Sequence, residues 1–133
     1  MKKTATAILA ISTLLLATTP LFAAESQTLT GDFIWERSDD SISGDLKAVF
    51  EPTGDAAWNV SFHFTFDEKK HVYSGTATGS LTEGELKGRV MSDGETPQPF
   101  EFEGSFNEGA FEGVHKGFRQ GEPTPTGTLR LSR

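Results

Sequence analysis

Hydrophobic and polar side chains alternate along most of this chain. The clearest stretch covers residues 58–67, where Trp58, Val60, Phe62 and two further phenylalanines alternate with Asn, Ser, His, Thr and Asp. A period of two predicts a β-strand with one buried face. The same alternation recurs to the C-terminus, and no helical period follows residue 24, so we predict about eight strands. Their apolar sets lie in residues 29–35, 46–50, 58–66, 73–81, 86–90, 100–106, 111–115 and 127–131.

The connections between these strands carry residues typical of turns. Residues 80–88 and 105–113 form an internal repeat of a hairpin. Both segments follow the order Ser, apolar, Thr or Asn, Glu, Gly, any residue, apolar, charged, Gly. The glycine that follows each Glu, Gly84 or Gly109, can take the positive φ of a short hairpin loop. Further turns are predicted at residues 51–55 and 67–70, and longer, mobile loops at residues 92–99 and 118–125.

Successive short strands of this kind predict an all-β, antiparallel, up-and-down meander. Closure into a β-barrel buries the apolar face and removes both sheet edges, so a closed or nearly closed barrel is the expected fold. A two-sheet sandwich remains the alternative, because alternation does not reveal closure. A membrane barrel with its apolar face outward is less favoured, since some strands show only three alternating apolar positions. Several glycines share the apolar face, where they either bring strands close together or leave a cavity.

The first 24 residues differ from the rest. Lys2 and Lys3 precede an apolar run, and small residues end the segment at Ala23 and Ala24, which is the order of a secretory signal peptide. We expect cleavage after Ala23 or Ala24 and a periplasmic or secreted protein. Residues 25–133 then form a single domain, which has no cysteine and must rely on its packed core.

The chain is acidic, with a formal net charge of −7. The two lysines are the only charges in the leader, so residues 25–133 carry a net charge of −9. Nucleic acid or an anionic membrane would require a basic patch, and basic residues are scattered here. The negative charge either keeps the protein soluble or attracts a basic partner or a cation.

Candidate catalytic groups do not assemble into a recognisable pattern. His63, His71 and His115 share no ligand-like spacing, so no metal or other cofactor is expected. The serines lie in no nucleophile-elbow context, and the carboxylates Glu101, Glu103 and Glu112 are expected on a solvated outer face. We therefore expect a protein that is not an enzyme.

Aromatic residues offer the best candidate binding site. Trp35, Trp58, Tyr73 and His115 are expected near a barrel opening, where they would bind a small apolar or amphipathic ligand. The alternative is a protein-interaction or inhibitor domain that uses its acidic surface, with loops 37–43, 92–99 and 118–125, against a basic exported partner. The sequence leaves both functions open and does not indicate the oligomeric state.

In strand number and in the Gly-x-aromatic sequence Gly31-Asp32-Phe33, the chain resembles small lipocalin-type or avidin-type barrels. The lipocalin pattern has Trp at the position of Phe33, and no second motif of either family is present. The resemblance is therefore one of architecture, and it assigns no family and no binding residues.

Overall fold

The computed structural model describes residues 25–133, and the predicted signal peptide lies outside them. The described chain forms eight β-strands. They are longer than the apolar repeats alone indicated, because polar residues extend most of them at their ends. Their bounds are β1 Gln27–Glu36, β2 Ser41–Gly54, β3 Ala57–Phe66, β4 Lys69–Gly79, β5 Gly84–Met91, β6 Pro99–Asn107, β7 Ala110–Arg119 and β8 Glu122–Ser132.

The strands form a closed antiparallel barrel in sequence order. Each strand pairs with the next one along the chain, and β1 also pairs with β8, with Gly31 opposite Leu131 and Trp35 opposite Gly127. The predicted meander and its closure are confirmed, and the sandwich alternative is wrong. Among residues 25–133 there is no helix that is long and apolar enough to cross a membrane.

The barrel interior is the hydrophobic core. Its sixteen buried side chains are all apolar, and no polar or charged side chain of the described chain is buried with them. The apolar face therefore points inward, which is the inverse of the lipid-facing alternative. The inner glycines bring strands and rings close together: a Cβ at Gly113 would lie 2.5 Å from the carbonyl oxygen of Glu103 and 2.7 Å from the ring of Phe111.

Two-residue turns connect several hairpins. Asp67 and Glu68 both have positive φ, as do Glu108 and Gly109, which is the turn type that matches the twist of paired strands. Gly84 also has a positive φ. The turn at residues 67–70 and the positive φ after each repeated Glu are therefore confirmed.

Two predicted turn segments are instead largely strand. Residues 118–125 form a tight hairpin around Gln120 and Gly121, and β2 continues through Pro52 to Gly54. The loop predicted at residues 118–125 is therefore wrong, and the turn predicted at residues 51–55 lies instead at residues 55–56. Pro52 lies beyond the start of β1, whose first residue Gln27 pairs with Phe50, and the β8 prolines lie beyond its other end, where Trp35 pairs with Gly127. With no partner on that side, a residue lacking an N–H is tolerated.

The two ends of the barrel differ. At one end, here called the closed end, lie the chain termini and the β2–β3, β4–β5 and β6–β7 connections. Leu81 of the β4–β5 connection is buried there at 2% exposure, and Ser80 orders that loop by accepting hydrogen bonds from the amides of Thr82 and Glu83, both at 3.0 Å. The opposite, open end carries the β1–β2, β3–β4, β5–β6 and β7–β8 connections.

Candidate functional site

An aromatic cavity lies inside the open end of the barrel. Its volume is about 90 Å³. The walls combine residues from the ends of β1, β3 and β5 with residues from the starts of β4 and β6, because an up-and-down meander brings these positions to the same end. The cavity is lined by Phe33, Trp35, Leu46, Phe62, Phe64, Phe66, His71, Tyr73, Val90, Phe100, Glu101, Phe102, His115 and Leu129.

Phe64 is at the centre of the aromatic wall. Its ring meets those of Phe33 and Tyr73 edge to face, with centroids 5.1 and 5.0 Å apart, and it stacks on His71 at 5.4 Å. Tyr73 in turn stacks on Phe100 at 5.3 Å. Such pairs hold each ring in place beyond the effect of burial alone. The wall is therefore a continuous set of rings packed against one another.

The floor and the rim of the cavity are also aromatic. Phe62 and Phe102 meet edge to face at 5.1 Å and separate the cavity from the packed core beneath. At the rim, Trp35 packs against Phe66 with centroids 5.7 Å apart. The surface between the rim and the Phe62–Phe102 pair is thus mainly aromatic, with His71 and His115 as its imidazole groups.

His115 ties three strands together beside the cavity. Its Nε2 lies 2.8 Å from the carbonyl oxygen of Ile34, which can only accept, so Nε2 carries a proton. Its Nδ1 lies 2.7 Å from the hydroxyl of Thr126. Burial lowers the pKa of His115, although the bond to Ile34 and the charge of Glu36 oppose that shift. The histidine thus links β7 to β8 and β1 through hydrogen bonds from both of its ring nitrogens.

The β5–β6 loop is attached to the cavity wall through Asp93. One carboxylate oxygen of Asp93 accepts from His71 Nδ1 at 3.3 Å, and the other accepts from the amide of Val72 at 3.4 Å. The bond from His71 lowers the pKa of Asp93. Burial raises the pKa of Tyr73, and the negative charge of Asp93 raises it further. The loop therefore places a carboxylate directly beside His71 of the cavity wall.

Of the four residues predicted near an opening, the structure brings three together. Trp35, Tyr73 and His115 all line the cavity. Trp58 lies at the closed end, where its indole N–H donates to the carbonyl oxygen of Gly79 at 3.0 Å and its ring packs edge to face on Phe50. It is placed there because β3 starts at the closed end, and it contributes to the packing of that end.

Several cavity residues were not singled out from the sequence. The wall or rim also contains Phe64, Phe66, His71 and Phe100. The sequence contained the information needed to assign them there. Each lies on the inner face, near the end of an odd-numbered strand or the start of an even-numbered one. Strand direction, combined with alternation, would have assigned them to the open end.

Polar pairs on the outer face of the barrel include Ser61 with His63 and Glu103 with Lys116. Ser61 and His63 are hydrogen-bonded at 2.9 Å on the outer face of β3, but no carboxylate of the described residues bonds the histidine to orient it. Within residues 25–133, no group of three or more His, Cys, Asp or Glu side chains is arranged to hold a metal ion. Glu103 is bound by Lys116, which lowers the pKa of its carboxyl group.

No protein-family model, no curated protein and no solved structure matches this chain significantly. The cavity and its surroundings must therefore be interpreted from their own chemistry.

Proposed function

We propose that this protein is an exported, non-enzymatic binding module that takes a small apolar or amphipathic ligand into the open end of its barrel. The aromatic cavity carries the proposal. Its walls are apolar, its rings are fixed by mutual packing, and it opens at the end of the barrel where four connections meet. Concave apolar sites with a few polar groups are the usual form of small-molecule sites.

The cavity also limits what the ligand can be. At about 90 Å³ it is smaller than the roughly 300 Å³ of an ordinary ligand pocket and smaller than the roughly 150 Å³ that admits benzene in a closed protein core. A long acyl chain would not fit. Because the cavity is open at the rim, we infer that the ligand inserts the edge of one apolar ring, while the rest of the ligand remains outside beside Trp35 and Phe66.

The two tryptophans provide a test with an internal control. Trp35 lies at the cavity and Trp58 lies at the closed end, and the chain has no other tryptophan. Titration with toluene should shift the indole N–H resonance of Trp35 in a ¹H–¹⁵N spectrum and leave that of Trp58 in place. Equal shifts of both, or of neither, would contradict binding at the open end.

The mass of the mature chain tests whether the predicted signal peptide is cleaved. Native mass spectrometry of the protein purified from the exported fraction should show a chain that starts at Ala24 or Glu25. A carried ligand would appear as additional mass that is lost on denaturation. A chain that retains residues 1–24 would contradict cleavage of the predicted signal peptide.

A second candidate function is favoured by the position of the loops. The connections within loops 37–43, 92–99 and 118–125, which the sequence assigned to a protein interface, all lie at the open end around the cavity. An acidic module could thus bind a basic exported partner there. Reversing the charges of Asp39, Glu95 and Glu122 should then abolish binding of an oligolysine peptide, whereas a carrier of neutral ligands would retain toluene binding.

A further inference from the structure

Charges of both signs lie at the rim of the aromatic cavity. Lys69 is paired with Phe66 across the β3–β4 hairpin, and Asp93 of the β5–β6 loop lies beside His71 of the cavity wall. A charged ligand of either sign would therefore meet a like charge at the rim. Selectivity beyond apolar contact would then rest on neutral hydrogen-bonding groups.

His71 provides such a group in the cavity wall. The carboxylate of Asp93 can only accept, so the Nδ1 atom of His71, which lies 3.3 Å from it, carries a proton. The amide of Val72 holds the same carboxylate in place. In a neutral imidazole with its proton on Nδ1, the other nitrogen, Nε2, is a hydrogen-bond acceptor. None of residues 25–133 donates a hydrogen bond to this Nε2, so the acceptor is available to a ligand.

The His71 ring is also positioned to meet a ligand at the rim. It stacks on Phe64 with ring centroids 5.4 Å apart, and its centroid lies 6.3 Å from that of Phe66. Its Nδ1 edge faces the β5–β6 loop, so its Nε2 edge faces away from that loop. The side chain is 27% exposed, which leaves it accessible from the open end.

We propose that the ligand is a neutral hydroxylated aromatic compound, whose hydroxyl donates a hydrogen bond to Nε2 of His71. The inference rests on the proposed function and specifies its substrate class. The edge of the aromatic ring would enter the cavity, and the hydroxyl would remain at the rim beside the imidazole. A ring without a donor would displace water from Nε2 and leave that acceptor unpaired, which costs affinity.

The direct test compares three uncharged probes that differ in their hydrogen-bonding groups. Phenol carries a donor, anisole carries only an acceptor, and toluene carries neither. Calorimetric titration of the purified protein is carried out at about pH 8, where imidazoles and phenols of ordinary pKa are both neutral. Phenol should bind about threefold to tenfold more tightly than anisole or toluene, which is the usual effect of one hydrogen bond.

Matched variants locate the effect. His71→Phe keeps a ring that can pack on Phe64 and removes the acceptor, so the preference for phenol over toluene should be lost. Because the same two probes are compared in each protein, their different polarity cancels from this change. The control is His63→Phe, which makes the same substitution on the outer face of β3 beside Ser61 and should preserve the preference. An equal loss in both variants would overturn the proposal.

A further measurement requires no variant. The imidazole nitrogen resonances in a long-range ¹H–¹⁵N spectrum should show that His71 is protonated at Nδ1 and not at Nε2. Phenol should shift the Nε2 resonance more than toluene does. A proton on Nε2 of the neutral imidazole in the free protein would contradict the proposal, because no acceptor would then face the ligand.

The outcomes separate this inference from the function on which it rests. If none of the three probes binds, the proposed function itself fails. If toluene or anisole binds as tightly as phenol, the cavity binds ligands and the inference about the hydroxyl is wrong. If His71→Phe retains the preference for phenol, the hydroxyl is recognised elsewhere and the assignment to His71 is wrong.

Discussion

His115 makes the stability of the barrel dependent on pH. Burial lowers its pKa in the folded protein below the ordinary value of 6.5. The unfolded chain therefore takes up a proton first as the pH falls, and the free energy of unfolding should decrease between pH 6.5 and the lower folded pKa. The stability that the neutral histidine contributes is fully present above pH 6.5. Urea unfolding at pH 7.5 and pH 5 measures the difference.

The variant His115→Gln isolates this effect, because glutamine can still donate to Ile34 and does not titrate. Its loss of stability from pH 7.5 to pH 5 should be smaller than that of the unmodified protein. The matched control is His63→Gln, whose imidazole lies on the outer face beside Ser61. If both variants reduce the pH dependence equally, the burial of His115 is not its cause.

Gly113 shows how a single missing side chain permits the narrow barrel. A Cβ at this position would lie 2.5 Å from a carbonyl oxygen of β6 and 2.7 Å from the ring of Phe111. Gly113→Ala should lower the free energy of unfolding by about 1–3 kcal/mol, since strand or ring must move. At Gly54 a Cβ would meet no atom within 4 Å. Gly54→Ala should therefore be neutral or stabilising by up to about 1 kcal/mol in urea unfolding.

At the scale of elements, the β5–β6 loop depends on one carboxylate for its attachment to β4. Asp93→Ala removes the bonds to His71 and Val72, so the amides of Val72 and residues 92–98 should exchange hydrogen faster. Midpoints of urea unfolding should remain unchanged, because an exposed ion pair contributes little to global stability. Glu95→Ala in the same loop is the control, and faster exchange in both variants would argue against a specific attachment by Asp93.

Strand positions were predictable because alternation is a local property. The inner faces of β3 and β6 follow directly from their aromatic residues, and the turn at Asp67 and Glu68 follows from residue types that tolerate hairpin geometry. The strand assignment of Pro52 and of the prolines in β8 was not predictable in this way. It depends on where β1 starts and where it ends, which are properties of the neighbouring strand and not of the proline segments.

The candidate site was predictable in part for the same reason. Trp35 and Tyr73 lie at one end of the barrel, whereas Trp58 lies at the other and shows the limit of an argument from residue type alone. An aromatic residue on the inner face belongs to the core or to a cavity depending on its height in the barrel. That height follows from strand direction, while the size of the cavity depends on how neighbouring rings pack, which no single strand reveals.

For the whole molecule, the barrel divides into a packed half and an open half. At the closed end, Leu29, Phe50, Leu86 and Phe111 are completely buried and Leu81 covers the interior. At the open end, Trp35, Phe64, Tyr73 and Phe100 are only partly buried around the cavity. The side chains without any exposure are therefore found towards the closed end, while the open end retains a partly unfilled aromatic surface.

Strand β8 provides a direct test of this division, since Leu129 and Leu131 share its inner face. Leu129 lines the cavity, whereas Leu131 lies deeper, opposite Gly31 and Phe111 and away from the cavity. Leu131→Ala should lower the free energy of unfolding by about 2–5 kcal/mol, because it opens a void in a packed region. Leu129→Ala should cost less, because that side chain already borders empty space, and it should increase the affinity for a larger ring such as naphthalene. Urea unfolding and a naphthalene titration measure the two effects, and equal stability losses without a gain in affinity would mean that the barrel is packed uniformly from end to end.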